Sequence, residues 1–108
     1  MATNFKNALS ASLGTTPTTV LTTGSNVKTT VIGLSLTNLT DGIILASIQI
    51  DDGTTSVYFI KDVIVPPNQS LRVINGGEKL VLGSSTDVII SSNTDSSLDL
   101  VMSYVEIS

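Results

Sequence analysis

Two short clusters of carboxylates are the strongest candidates for chemistry in this sequence. Asp51–Asp52 precede Thr54–Thr55, which gathers several hard oxygen atoms within one turn, as calcium requires. Asp95 and Asp99 follow Asn93 and form a second, looser cluster of the same kind. Neither cluster has the ligand spacing of a calcium-binding loop or a bidentate glutamate. Turn formation therefore explains both clusters better, and we predict no metal site.

The residues on which most enzymatic chemistry depends are missing. The chain contains no histidine and no cysteine, which removes the usual general base near neutral pH, thiolate nucleophiles, disulfides and the commonest zinc ligands. The 15 serines and 15 threonines supply hydroxyl groups, but none has an identifiable base. We predict no catalytic residues, no cofactor and a non-enzymatic function.

Two further segments invite a binding interpretation. Asn75–Lys79 is rich in glycine, but it opens a strand and lacks the Lys-Ser/Thr ending of a phosphate-binding loop, so a hairpin turn is the better interpretation. Tyr58, Phe59 and Tyr104 are too few to form a stacking platform and are better read as core or interface anchors. An exposed aromatic pair that binds sugar remains an alternative.

The charge distribution limits the classes of partner. The formal net charge is -4, and the five basic residues are scattered along the chain rather than grouped in a stripe. Nucleic-acid binding and docking on an anionic membrane are therefore not expected. The longest aliphatic run has four residues, and the N-terminus lacks the pattern of a signal peptide, so we expect synthesis in a cytoplasm.

The elements that carry these residues are predicted to be strands. Valine, isoleucine and threonine make up 37 of the 108 residues, and clusters of Gly, Asn, Asp and Pro separate short runs of them. This pattern predicts an all-β, antiparallel β-sandwich of about eight strands. The predicted strands are 18–23, 27–38, 43–50, 55–61, 70–74, 79–82, 87–91 and 98–107.

Three local patterns add detail to this sandwich. Ile32, Leu34 and Leu36 are expected to share one face of a long strand, in which Gly33 predicts a bulge or a close backbone approach. Asp51–Thr54 contains Asp-Gly and predicts a tight hairpin turn. Pro66–Asn68 predicts a crossing from one sheet to the other, because proline removes ladder donors.

The N-terminal segment follows a different period. Phe5, Ala8, Leu9 and Leu13 recur at spacings of three and four, and Asn4 is placed to cap a helix. We therefore divide the chain into an N-terminal arm or short helix over residues 1–14 and a β-sandwich domain over residues 15–108. The arm could become ordered on a neighbouring subunit, or it could pack on its own domain.

The last strand is apolar on both faces. Its even-numbered positions from 98 to 104 are apolar, and so are positions 101, 105 and 107 on the opposite face. Such a strand is either covered twice within its domain or meets another chain. Together with the N-terminal segment it supplies our candidate assembly contacts, which are Phe5, Leu9, Leu13, Tyr104, Val105 and Ile107.

A series of segments gives the chain a family resemblance. In order, they are Phe5–Leu9, Thr19–Thr22, Val31–Asn38, Val65–Leu71, Gly77–Leu82 and Ser103–Ile107. This series resembles small virion structural proteins of tailed bacteriophages, including marine and cyanobacterial phages. Such proteins often carry Gly-Asp before the penultimate strand, where this chain has Thr86-Asp87.

The resemblance implies a non-enzymatic subunit of a phage particle. It implies an immunoglobulin-like or jelly-roll-like β-sandwich that decorates or cements the capsid, or else a tail, neck or baseplate component, with the major capsid protein or tail proteins as partners. A carbohydrate-binding or adhesin module is the other alternative. We expect a homo-oligomer located on the virion, where many copies convert weak contacts into durable attachment.

Overall fold

The computed structural model describes residues 3–74 and 79–107, and it is built from strands throughout these ranges. The strands are β1 (Thr3–Leu13), β2 (Thr18–Thr22), β3 (Lys28–Asn38), β4 (Ile44–Asp51), β5 (Ser56–Val65), β6 (Ser70–Ile74), β7 (Leu80–Leu82), β8 (Asp87–Ser92) and β9 (Leu98–Ile107). The predicted all-β class is confirmed. The hairpin predicted at Asn75–Lys79 falls largely on residues 75–78, which lie outside the described residues.

The strands form two antiparallel sheets that stack as a sandwich. One sheet has the order β1-β9-β3-β6, with β7 also paired to β3, and the other has the order β2-β8-β4-β5. The pairings are nested around the β4–β5 hairpin, so that β3 meets β6 and β7, β2 meets β8, and β1 meets β9. This is jelly-roll connectivity, whereas the first two strands of an immunoglobulin domain share one sheet.

The core lies between the two sheets and comes from alternate residues of the long strands. From β9 it takes Leu98, Leu100, Met102 and Tyr104, and from β4 it takes Ile44, Ala46 and Ile48. In β9 these are the even-numbered apolar positions identified in the sequence. Because this alternation leaves the other side chains of β9 pointing away from the core, the outward apolar positions of β9 need another explanation.

The predicted N-terminal helix is wrong, because the segment forms the edge strand β1. Residues Thr3 to Ser10 pair in continuous register with Ile107 to Leu100 of β9. Lys6 also forms a 2.8 Å ion pair with Glu106. The helical spacing of four apolar residues is a weak local preference, and pairing with a long neighbouring strand overrides it. That residues 1–14 act as a separate assembly arm stays a prediction.

A bulge in β3 corrects the predicted face of that strand. Val31 pairs with Tyr104 and Gly33 with Ser103, so Ile32 is an extra residue without its own partner on β9. The bulge predicted at Gly33 is thereby confirmed. It shifts the alternation, and Val31 rather than Ile32 joins Leu34 and Leu36 in the core.

The two predicted chain reversals are confirmed. Between β4 and β5, the Asp52 N–H donates to the Thr55 carbonyl at 3.1 Å, and Gly53 has a φ of 92°. Pro66–Asn68 connects β5 of the four-stranded sheet to β6 of the five-stranded sheet. The loops therefore hold the two sheets in a fixed relation, and each sheet presents one face outward.

Candidate interaction surface

The carboxylates at the β4–β5 turn are occupied by the backbone of that turn. Asp51 Oδ1 accepts the Gly53 N–H at 2.8 Å. Asp52 Oδ1 accepts the N–H groups of Thr55 and Thr54 at 2.7 and 2.9 Å, and these bonds lower the pKa of Asp52 from its ordinary 3.8. The side chains thus build the turn, as the turn interpretation predicts.

The second carboxylate cluster fastens loops to strands. Asp95 Oδ1 accepts the Thr15 hydroxyl at 2.8 Å, and Asp99 Oδ1 accepts the Ser12 N–H at 2.9 Å. Within residues 3–74 and 79–107, no three acidic side chains come together in a group that could hold a metal ion. The arrangement gives these carboxylates a structural role.

The aromatic residues do not form a flat platform. The ring of Tyr58 is half exposed, but the Lys61 Nζ lies 5.1 Å from its centroid and covers one face. Phe59 is partly buried against the core, and Tyr104 is buried within it. This placement agrees with the interpretation of these residues as anchors and leaves no adjacent exposed pair among them.

The candidate assembly contacts divide into surface and core positions. Phe5 and Leu9 are 77% and 67% exposed, and Ile107 is 36% exposed, on the side of the sheet that faces away from the core. Val105 is half-buried on the same side. Leu13 and Tyr104, at 6% and 8%, belong to the core, where they support the sheet rather than offer a surface.

The register of the five-stranded sheet aligns these exposed residues with others. Phe5 lies opposite Val105, which lies opposite Thr30, and Thr30 lies opposite Val81. In a second row, Leu9 lies opposite Val101. We call the central part of the outward side of this sheet the outer face, made of Phe5, Asn7, Leu9, Thr30, Gly33, Ser35, Arg72, Val81, Val101, Ser103, Val105 and Ile107. Lys28, opposite Ile107, and Asp99, opposite Thr37, lie at its two ends.

Small side chains separate the two apolar rows of the outer face. Asn7, Ser103 and Gly33 form the row between them, and Gly33 has no side chain to fill the space. The result is a shallow, open depression of about 280 Å³ whose lining includes Arg72 and Val101. The outer face therefore combines two apolar rows, a shallow recess and a single guanidinium group at its side.

The outward side of the four-stranded sheet is more mixed in chemistry, since it also exposes Ile64, opposite Leu45, and Tyr58, opposite Gln49. Its paired central strands place Ser47 opposite Ser91, Gln49 opposite Ile89 and Asp51 opposite Asp87. Polar and acidic groups of this kind are stable in water without a partner. Because its exposed apolar side chains stand in two aligned rows, the outer face of the five-stranded sheet is the candidate interaction surface.

Sequence reasoning missed part of the outer face. Val81, at 70% exposed, and Val101, at 48%, belong to it but were not among the candidate contacts. Val101 could have been found from the alternation in β9, which already included it. Val81 and Arg72 could not, because their positions depend on which strands lie beside β3.

Comparisons with known proteins add a similarity at the level of structure. No family model matches the chain, and no curated protein matches it. Among solved structures, the chain is similar to one described as a pentameric capsid protein isolated from metagenomic phage sequences, with 23% sequence identity and a TM-score of 0.43. The match covers 94% of this chain and 59% of that one, so the chain spans little more than half of that protein's length.

One further finding concerns membranes. Across residues 3–74 and 79–107, the chain forms no helix that is long and apolar enough to cross a bilayer.

Proposed function

We propose that this protein is a non-enzymatic structural subunit that docks through its outer face on a larger protein scaffold. The observation that carries the proposal is the exposure of large apolar side chains in register on one sheet, with Phe5, Leu9, Val81 and Val101 all 48% exposed or more. Burying a large apolar side chain gains about 1.5–3 kcal/mol. A partner that covered both rows would therefore gain much more than contacts between two polar surfaces provide.

The fold supports the same proposal. Jelly-roll sandwiches serve as capsid and lectin domains, in which sheet faces and loops make the contacts between molecules. The carboxylates of the two clusters, such as Asp52 and Asp99, are committed to turns and loops, and the core is filled by aliphatic side chains. Since fold alone does not determine function, the outer face is the main support.

We place this subunit on the virion of a tailed phage, as a capsid decoration or cement protein that contacts the major capsid protein. The resemblance of segments such as Phe5–Leu9 and Ser103–Ile107 to phage virion proteins supports this assignment. A subunit of the tail, neck or baseplate would dock through the same apolar contacts of the outer face. The two positions differ in copy number, since a capsid lattice offers many equivalent sites and a tail offers few.

Purified source particles test the placement. Quantitative mass spectrometry against the major capsid protein should give a copy number comparable with the number of capsid sites. A few copies to a few dozen would exclude decoration and leave the tail, neck or baseplate position. Absence of the protein from washed particles would overturn the assignment to the virion.

A pair of matched variants tests the surface itself. Val101→Glu places a charge in the outer face, whereas Val57→Glu makes the same change at a similarly exposed valine (48% and 53%) on β5 of the other sheet. Particles that lack the protein should take up Val57→Glu normally and lose Val101→Glu in a co-sedimentation assay. Equal uptake of both folded variants would show that the outer face is not the docking surface.

A further inference from the structure

The free edge of β1 differs from the other sheet edges among the described residues. Thr3 to Ser10 runs for eight residues in unbroken register, without proline and with Lys6 as its single charge. The opposite edge of the five-stranded sheet is divided between the short strands β6 and β7. An unbroken edge presents a row of backbone donors and acceptors that can pair with another strand.

The edges of the four-stranded sheet carry protective features. β5 bulges at Lys61–Asp62, where two residues face Ser47 of β4, and Asp62 has a φ of 51°. β2 has five residues, begins just after Pro17 and also shifts register. Bulges, charge, proline and short length all discourage edge pairing, so the long regular edge of β1 stands apart.

We propose that β1 pairs with β1 of a second copy of this chain, antiparallel and about a two-fold axis at Asn7. In this register Phe5 of each copy lies opposite Leu9 of the other, and the two Asn7 side chains face each other. Lys6 lies opposite Ala8. The two large apolar residues of this edge therefore face each other, as the self-complementary surface of a two-fold dimer requires.

Neighbouring registers fit less well. An antiparallel register in which Lys6 faces Lys6 opposes like charges and places Phe5 against Asn7. The register about Ala8 places Leu9 against Asn7 and Phe5 against Ala11. Registers shifted by one residue put outward-facing residues of one copy opposite inward-facing residues of the other. The core-facing sides of the two sheets would then not lie on the same side of the joined sheet.

This pairing goes beyond docking on a scaffold, because it names a second copy as the partner of an edge rather than of a face. Two five-stranded sheets would become one continuous sheet. The two outer faces would then join along a seam of Phe5 and Leu9 side chains, which doubles the apolar area offered to a scaffold. Self-pairing is measured on the purified chain alone, so its failure and the failure of the virion assignment are separate results.

The absence of cysteine in this chain allows a direct test by cross-linking. Asn7→Cys places one thiol on the two-fold axis, where opposite Cβ atoms of paired strands lie within reach of a disulfide. Ser103→Cys is the matched control, because Ser103 lies opposite Asn7 on the same outer face but on the inner neighbour β9. Mild oxidation should shift the Asn7→Cys chain from 11.2 kDa to twice that mass, while Ser103→Cys remains single.

The alternatives give distinct results. Cross-linking of Ser103→Cys without Asn7→Cys would indicate that copies stack face to face, and would overturn the edge pairing. A single chain mass for both variants, or a pentamer of the unmodified chain in light scattering, would overturn it as well.

Charge substitution tests the register. Phe5→Glu alone and Leu9→Lys alone should each abolish the dimer, because each sets a charge against an apolar residue of the other copy. The chain with both substitutions should dimerise again, since each glutamate then faces a lysine across the axis. Combining Phe5→Glu with Thr3→Lys should give no recovery, and recovery there would exclude the register about Asn7.

Discussion

Single polar side chains hold the ends of this sandwich together. Asn38 is 1% exposed, and its Nδ2 donates to the carbonyls of Gly42 and Val65 at 2.8 and 3.0 Å. Its Oδ1 accepts the Thr40 N–H at 2.8 Å. One amide thus joins the end of β3 to the loop before β4 and to the end of β5. The motif Asn38-Leu39-Thr40 matches a glycosylation pattern, but burial of the amide excludes this use in the folded chain.

Thr29 is the exception among the buried polar residues. It is fully buried, and its hydroxyl has no hydrogen-bond partner among the described residues. A buried hydroxyl without a partner costs about 1–3 kcal/mol. Thr29→Val, which keeps the shape and removes the hydroxyl, should therefore raise the free energy of unfolding by about 1 kcal/mol. Denaturant titration measures the gain, with Thr30→Val on the outward side as the control, and a loss of stability in Thr29→Val would contradict the inference.

The Asp52 turn gives the fold a defined pH dependence. The N–H groups of Thr55 and Thr54 lower the pKa of Asp52 below 3.8, so the folded state favours its carboxylate. This contribution is present above the ordinary aspartate pKa of 3.8, and it is lost as pH falls through the lower pKa of Asp52 in the folded state. Asp52→Asn should therefore be less stable than the unmodified chain at pH 7 and equally stable at acid pH. Urea titrations at both pH values check this, and a constant difference between the two proteins would refute it.

At the scale of elements, the sequence predicted where the strands lie better than which of their side chains face the core and which strands pair. The positions of β2 to β9 follow from β-branched runs and turn residues, which are local signals. The helix over the N-terminal segment failed because β9 decides the conformation of β1, and no local pattern records that neighbour. The displaced face of β3 has a similar cause, since one extra residue at Ile32 reverses the alternation. The outer face could be found only in part, because it is assembled from strands distant in sequence.

The assignment of side chains to the inward faces of β3 and β4 can be tested by substitution. Leu34 and Ile48 are 2% and 0% exposed within the core. Leu34→Ala and Ile48→Ala should each lower the free energy of unfolding by about 2–5 kcal/mol, through lost burial and a residual cavity. Val101→Ala on the outward side of β9 should change it by less than about 0.5 kcal/mol. Losses below about 1 kcal/mol at both core sites would show that the inward faces are wrongly assigned.

At the scale of the molecule, the nested order of strands explains why the apolar outer face stays uncovered. The four-stranded sheet covers only one side of the five-stranded sheet, and within residues 3–74 and 79–107 the nested hairpins pair β1 with β9 alone. Surface that folding cannot cover is then available for assembly. The long strands give the molecule extents of 46 × 27 × 21 Å, so the outer face is extended rather than compact. Contacts distributed along such a face suit a lattice of repeated copies better than a single small ligand.

The same topology determines what happens when β1 is removed. Deleting residues 1–10 leaves Leu13 in place but strips β9 of its partner and exposes a new edge beside the core residues Leu100 and Met102. We expect this deletion to lower the melting temperature, because each kcal/mol lost corresponds to about 4–8 °C in a domain of this size. Lys6→Ala, which removes only the exposed side of the Lys6–Glu106 ion pair, is the control and should change stability by less than about 1 kcal/mol. If β1 were an independent arm that becomes ordered only on a neighbour, the deletion would melt at the temperature of the full chain and affect assembly alone. Differential scanning calorimetry of the three proteins therefore distinguishes a strand that completes the sandwich from an arm that only serves assembly.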